Sequence, residues 1–146
     1  MKFIYNDGGR SQHYKAWYAG DCVTRAIAIA TGQDYKAVYD SLNDLRDNMR
    51  QTKQVRTSSA RDGVARIIYQ CYLESLGWKW IPCMTIGSGC VIHLREGQLP
   101  QDKTLIVRLS KHMTCIINNV IHDTYDPSRD STRCVYGYFI KDVDTI

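Results

Sequence analysis

The chain changes character near its midpoint, and that change limits its fold more than any other feature. Between Asp21 and Leu76 the apolar residues recur at helical spacing, whereas from Trp78 onward they gather in short runs separated by turn formers. Cys22 to Thr31 is rich in Ala and Ile, follows a polar turn and meets Gly32, a natural helix stop. Asp34 can cap a second helix that places Tyr35, Val38, Leu42, Leu45 and Met49 on one side. A third helix is expected from about Val64 to Leu76, burying Ile67, Ile68, Cys71, Tyr72 and Leu76 before Gly77 ends it. Between the second and third, Gln51 to Asp62 is polar and aperiodic, the pattern of a mobile surface loop. Strands are expected at Trp78–Ile81, Cys90–Leu94, Leu105–Leu109, Met113–Ile117, Val120–Tyr125 and Cys134–Ile140. Helices first and strands after predict an α+β fold, with N-terminal helices packed on a C-terminal antiparallel sheet. At 146 residues the chain has room for one domain with a genuine core, covering 1–146.

No apolar run approaches the roughly 18 residues of a membrane helix, and Met1 to Asp7 turns polar too soon for a signal peptide. A cytoplasmic protein with no membrane partner is expected. In such a compartment the six cysteines are better read as free thiols than as three bridges. The net charge of +4 gathers partly between Arg46 and Arg66, through Arg50, Lys53, Arg56 and Arg61. Basic clustering is the footprint of nucleic-acid binding but is not specific to it. A solvated helix end and loop is the favoured explanation, so nucleic acid is not an expected partner.

Cys22 stands in Gly20-Asp21-Cys22-Val23-Thr24-Arg25-Ala26, at the start of its helix. First-turn N–H groups have no partner within the helix, and their positive field favours thiolate, the nucleophilic form of cysteine. Asp21 suits an N-cap, although its charge opposes ionisation of the neighbouring thiol. Much later, Asn118-Asn119 lies between Ile116-Ile117 and Val120-Ile121, which predicts a two-residue primed turn. Residue 117 then opposes 120, 116 opposes 121 and 114 opposes 123. That register sets His112, Thr114, Asp123 and Tyr125 on one face with Asp123 diagonal to His112, within reach of an imidazole. A one-residue slip would bring His122, Thr124 and Asp126 round instead. A nucleophile Cys22, a general base His112 and an orienting carboxylate Asp123, with Asp126 as the alternative acid, make the set a thiol hydrolase needs.

The remaining thiols suit structural positions, Cys71 on the apolar side of a helix and Cys83, Cys115 and Cys134 in or beside strands. Cys83, Cys90 and His93 could nominally bind zinc, but their spacing matches no common module. Gly87-Ser88-Gly89 lacks the Lys-Ser/Thr ending and following helix of a phosphate loop. No cofactor or metal is therefore expected. His13, His93 and His122 have no placed partners.

The order of Cys helix, His strand and acid strand resembles the papain-like cysteine peptidase superfamily. Ile121-His122-Asp123-Thr124-Tyr125 resembles the family's Ile-Lys-Asn-Ser-Trp segment, which sets Asp123 where the family has its orienting Asn. Asp21-Cys22 before a small-residue helix also resembles the leader peptidases of bacteriocin exporters, whose third residue precedes a proline, as Asp126 precedes Pro127 here. Closer still is a group of small phage and bacterial proteins that share Gly-Asp-Cys-Val-Thr-Arg-Ala, Gly89-Cys90, Arg108-Leu109-Ser110-Lys111-His112 and Tyr136-Gly137-Tyr138-Phe139. The resemblance implies a papain-like fold and a protease-like activity on an amide or isopeptide, with a protein or peptide substrate. For a phage protein the site of action would be the host cytoplasm and the substrate a host protein. The superfamily's oxyanion-hole Gln position is occupied by Ala16, so Gln12 and Lys15 are the candidate donors. If neither serves, the implied alternative is a catalytically inactive papain-like protein that binds and inhibits a host protein.

Overall fold

The computed structural model describes residues 1–13 and 20–141. Its elements run β1 (Lys2–Tyr5), a 3-10 turn (Arg10–Gln12), α1 (Cys22–Thr31), α2 (Tyr35–Asp47), α3 (Lys53–Arg56), α4 (Arg66–Ser75), β2 (Trp78–Pro82), β3 (Thr104–Leu109), β4 (His112–Ile117), β5 (Val120–Asp123) and β6 (Gly137–Lys141). The expected α+β class is observed. One six-stranded sheet has the order β1-β5-β4-β3-β6-β2.

Helix α1 packs on β4 and β3 through Val23, Ala26 and Ile27, which join Ile106, Met113, Cys115 and Phe139 in one buried cluster. Its alanines let the helix axis approach the sheet closely, and Gly32 ends it at φ 71°, with its N–H on the Ala28 carbonyl at 3.0 Å. Asp34 caps α2 as expected, accepting the Ala37 N–H at 3.2 Å. On the opposite face of the sheet, Leu105, Val107, Leu109, Ile116 and Ile121 are covered by Leu94, Leu99 and Val135 from irregular segments.

Four expectations are corrected. The sheet is mixed, because the N-terminal strand β1 pairs parallel to β5, with Tyr5 beside Asp123. All of β1 is exposed, so it carries none of the apolar alternation that marks a half-buried strand. Residues 51–62 are no open loop: Thr52 caps the short helix α3, and Val55, Ser58 and Ala60 are buried. Polar atoms hold that segment, with the Ala60 N–H on Asn43 Oδ1 (3.0 Å) and the Thr24 hydroxyl on the Ala60 carbonyl (2.6 Å). In α4 the buried face is Ile68, Tyr69 and Leu73, while Ile67 is 55% exposed and Cys71 lies outside. Tyr69 packs edge-on against Phe139, and that contact turns the helix away from the register its small apolar residues suggest. Cys90–Leu94 is not a strand; only an isolated bridge joins His93 to Cys134.

Among the described residues no helix is long and apolar enough to cross a membrane. The Trp80 ring lies over Gly137, where a Cβ would meet that ring and the Ile81 carbonyl at 2.7 Å. Gly137→Ala should therefore destabilise the fold by about 1–3 kcal/mol, read as a lower urea midpoint with an unchanged slope.

Candidate active site

Cys22 is the first residue of α1 and is partly exposed. Asp21 occupies the N-cap position but makes no side-chain cap bond. Its carboxylate, wholly buried, turns instead to two guanidiniums and a phenol. Arg25 Nε and Arg10 Nη1 donate to Oδ1 at 2.9 and 3.0 Å, and the Tyr35 hydroxyl donates to Oδ2 at 2.7 Å. The charge that would oppose a Cys22 thiolate is thus answered by two cations. The same network ties the 3-10 turn carrying Gln12 to the start of α1.

The Asn118-Asn119 turn forms as the arithmetic requires. Both residues have positive φ (48° and 68°), and 117 pairs with 120, 116 with 121 and 115 with 122. The ladder stops there, and beyond it His112 and Asp123 converge. His112 Nε2 and Asp123 Oδ2 lie 2.7 Å apart, both residues buried. Asp123 Oδ1 accepts from Arg25 Nη1 (3.0 Å) and from the Thr124 N–H (2.7 Å). From the other side, β1 fixes the main chain, with the Asn6 N–H on the Asp123 carbonyl at 2.8 Å. Asp126 is exposed and lies elsewhere: its Oδ1 accepts the Ser128 N–H at 2.9 Å in the following turn. Of the two candidate acids, Asp123 is the one that meets the imidazole.

With Nε2 engaged by Asp123, Nδ1 is the ring atom left for Cys22, whose thiol feels the charge of the imidazole. Burial pushes the Cys22 thiol up, but the hydrogen bond and charge of His112, the Met113 N–H and the Arg25 charge outweigh it, and the net shift is downward. Burial pushes His112 down, and its bonds and charges with Asp123 and Cys22 reverse this, raising it to about 9. Asp123 is held below its ordinary value: burial raises it, and His112 and Arg25 more than compensate. These shifts belong to one coupled group of charges. Their directions favour charge on both partners, a cationic imidazole and a thiol that ionises more readily than usual.

The remaining thiols separate by environment. Burial raises Cys83, and raises Cys115 far more. Cys71 is exposed. Cys90 and Cys134 are joined in a disulfide, which corrects the expectation that all six thiols are free. His93 meets Cys90 and Cys134 rather than Cys83. His13 faces Asp34 at 3.6 Å, and His122 Nδ1 meets Asn6 at 3.2 Å. Lys15 and Ala16 lie outside the described residues, as do Tyr14, Trp17 and Tyr18, while Gln12 is exposed on the 3-10 turn.

Sequence reasoning missed Arg25, Arg10, Tyr35 and Arg133. The signal for Arg25 was its spacing of one helical turn from Asp21, the i,i+4 separation of an ion pair. Arg133 donates to the Ser110 carbonyl and so braces the tight turn, Lys111 at φ 55°, that presents His112. Tyr125 was placed on the right face without a role; its ring lies 5.1 Å from that of His112 and shields one side of the imidazole.

No protein-family model, curated protein or solved structure matches the chain.

Because Arg25 joins two buried carboxylates, Arg25→Leu should cost about 3–5 kcal/mol, measured by urea unfolding. A change within experimental error would show that the network carries no weight. The pH dependence has a defined sign for each partner. The contribution from His112 is complete below the ordinary value of 6.5 and fades as pH rises through about 9. That from Asp123 is complete above 3.8 and fades as pH falls through its lowered value.

Proposed function

We propose that the chain is a papain-like thiol hydrolase or acyltransferase that opens an amide or isopeptide bond through a thioester on Cys22. The observation that carries this reading is the His112–Asp123 contact at 2.7 Å, in a site where the imidazole lowers the pKa of a helix-start thiol. The chain order of Cys helix, His strand and acid strand, with helices on one face of the sheet, supports the papain-like assignment.

In this mechanism the Cys22 thiolate attacks the carbonyl carbon and the oxygen gathers negative charge. The C–N bond breaks as the Nδ1 proton of His112 passes to the leaving amine. Water, or an acceptor amine, then attacks the thioester and gives its proton to the now neutral imidazole. The C–S bond breaks and the ion pair is restored. Asp123 keeps the ring in the tautomer that presents Nδ1 to the sulfur and stabilises the imidazolium. Arg25 holds Asp123 in place and compensates its charge.

The oxyanion needs donors. The Cys22 N–H, in the first turn, has no acceptor within the helix. Gln12 or Lys15 would supply the second, and Gln12 rides on a turn that Arg10 anchors to Asp21 at 3.0 Å. Loss of such a donor costs roughly a hundred- to a thousand-fold in rate, so Gln12→Ala and Lys15→Ala should differ by that margin.

A protein or peptide substrate suits this chemistry better than nucleic acid. Within the basic stretch, Arg46 is engaged by Asp47 and the Ser58 carbonyl, Arg56 by the Gln51 carbonyl, and Arg66 lies 5.1 Å over the Trp80 ring. No continuous row of outward cations results from these three.

Iodoacetamide in mildly acidic buffer should label Cys22 well ahead of Cys71, Cys83 and Cys115, and His112→Ala should remove the preference. Asp126→Ala should leave labelling and turnover intact where Asp123→Ala does not. Once a substrate is in hand, kcat/KM should be bell-shaped, with an acid limb below the ordinary thiol value and an alkaline limb near pH 9 as His112 loses its proton. Uniformly slow labelling of all free thiols would favour the inactive, host-binding alternative instead.

A further inference from the structure

A second cluster of reactive side chains lies away from Cys22, where the two irregular segments that cover the far face of the sheet meet. There Leu94 N–H donates to the Arg133 carbonyl at 2.8 Å and Val135 N–H to the Ile92 carbonyl at 2.9 Å, on either side of the His93–Cys134 bridge. These short extended pieces bring Cys90 and Cys134, separated by 44 positions, into a disulfide with Cα atoms 5.8 Å apart. His93 completes the group: its Nε2 lies 3.3 Å from Cys90 Sγ, and its main-chain N–H is taken by Gln98 Oε1 at 2.6 Å.

The donor atoms of Cys90, His93 and Cys134 all fall within 4.8 Å of one another. Among the described residues the Nδ1 atom of His93 is buried with no hydrogen-bond partner, while Nε2 meets the Cys90 sulfur. Two sulfurs and one imidazole nitrogen are the donor set of a tetrahedral, borderline-soft cation such as zinc. Zn–S bonds of about 2.3 Å set two ligating sulfurs roughly 3.8 Å apart. With Cα atoms 5.8 Å apart, that spacing asks for side-chain rotation rather than a large movement of the backbone.

We propose that the reduced Cys90–Cys134 pair, together with His93, is a zinc site, so that this clasp has a covalent form and a metal-bound form. The interconversion balances as follows. A dithiol reductant supplies two electrons and two protons, the S–S bond breaks, and the reductant leaves as its own disulfide. Zinc then replaces the two thiol protons, which pass to solvent, and takes the His93 lone pair as a third ligand. Cys90 is exposed, so water fills the fourth position. The clasp is one residue from Arg133, whose guanidinium holds the Ser110 carbonyl just before His112. Either closed form therefore anchors the segment that braces the imidazole, and the reduced, metal-free form releases it. This inference does not depend on the hydrolase reading.

The test is cobalt titration of the full chain, reduced with a phosphine and freed of metal, followed by zinc competition. Binding of one equivalent with sulfur-to-cobalt charge transfer and tetrahedral visible bands is expected, with displacement by zinc and no such signal from the oxidised protein. His93→Ala and Cys134→Ser should weaken binding by roughly tenfold or more, since even outer partners of a ligand matter that much. Cys22→Ala should leave it unchanged. His93→Ala keeps both sulfurs, so it carries the test if Cys134→Ser does not fold. Absence of charge transfer in the wild type would overturn the proposal. A signal that survives Cys134→Ser and His93→Ala but disappears in Cys22→Ala would also overturn it, by placing the metal at the other thiol.

Discussion

Arg25 is the tie between the two halves of this protein. Its Nε reaches the carboxylate that precedes Cys22, and its Nη1 reaches the carboxylate that holds His112, at 2.9 and 3.0 Å. The guanidinium is buried between them, so the helix start and the sheet end are joined by charge where neither group has water to turn to. Burying two carboxylates without this cation would leave uncompensated charge, the most costly defect a protein interior can hold. The consequence is positional. A thiol from the beginning of the chain and an imidazole from near its end are set side by side because the acids beside each share one arginine.

That tie also explains the electrostatics of the thiol. An aspartate adjacent to a cysteine should hold the thiol protonated, yet the Asp21 carboxylate is bonded to Arg10, Arg25 and the Tyr35 hydroxyl, and two cations answer its charge. The remaining free thiols lie in apolar positions that push them up, as in Cys83 and Cys115, or on the surface, as in Cys71. Cys22 differs from them because His112, the Met113 N–H and a helix start act on it together.

Parts of this arrangement were legible in the residues alone. Asn118-Asn119 between apolar pairs specifies a primed turn, and the register that follows decides which of two aspartates can meet His112. Gly32 and Asp34 mark a helix end and a helix start because each supplies a local backbone requirement that few residues meet. What escaped was set by tertiary packing. Strand β1 is exposed and patternless, and it exists because β5 offers a free edge. The inward face of α4 is chosen by Tyr69 against Phe139, a contact across distant sequence. Residues 51–62 are ordered by Asn43 and Thr24 rather than by their own periodicity. Cysteine count alone could not pair Cys90 with Cys134, because the bridge at His93 that aligns them joins segments remote along the chain.

The central claim is that Cys22, His112 and Asp123 form a resting thiolate–imidazolium pair backed by a carboxylate. Nitrogen-15 NMR of the His112 ring across pH tests it most directly, since both ring nitrogens of an imidazolium carry protons and share one characteristic shift range. The account predicts a doubly protonated His112 at neutral pH that titrates near 9, and a lower titration point when Cys22 is replaced by Ser. A neutral His112 ring at neutral pH, indifferent to Cys22→Ser, would contradict it.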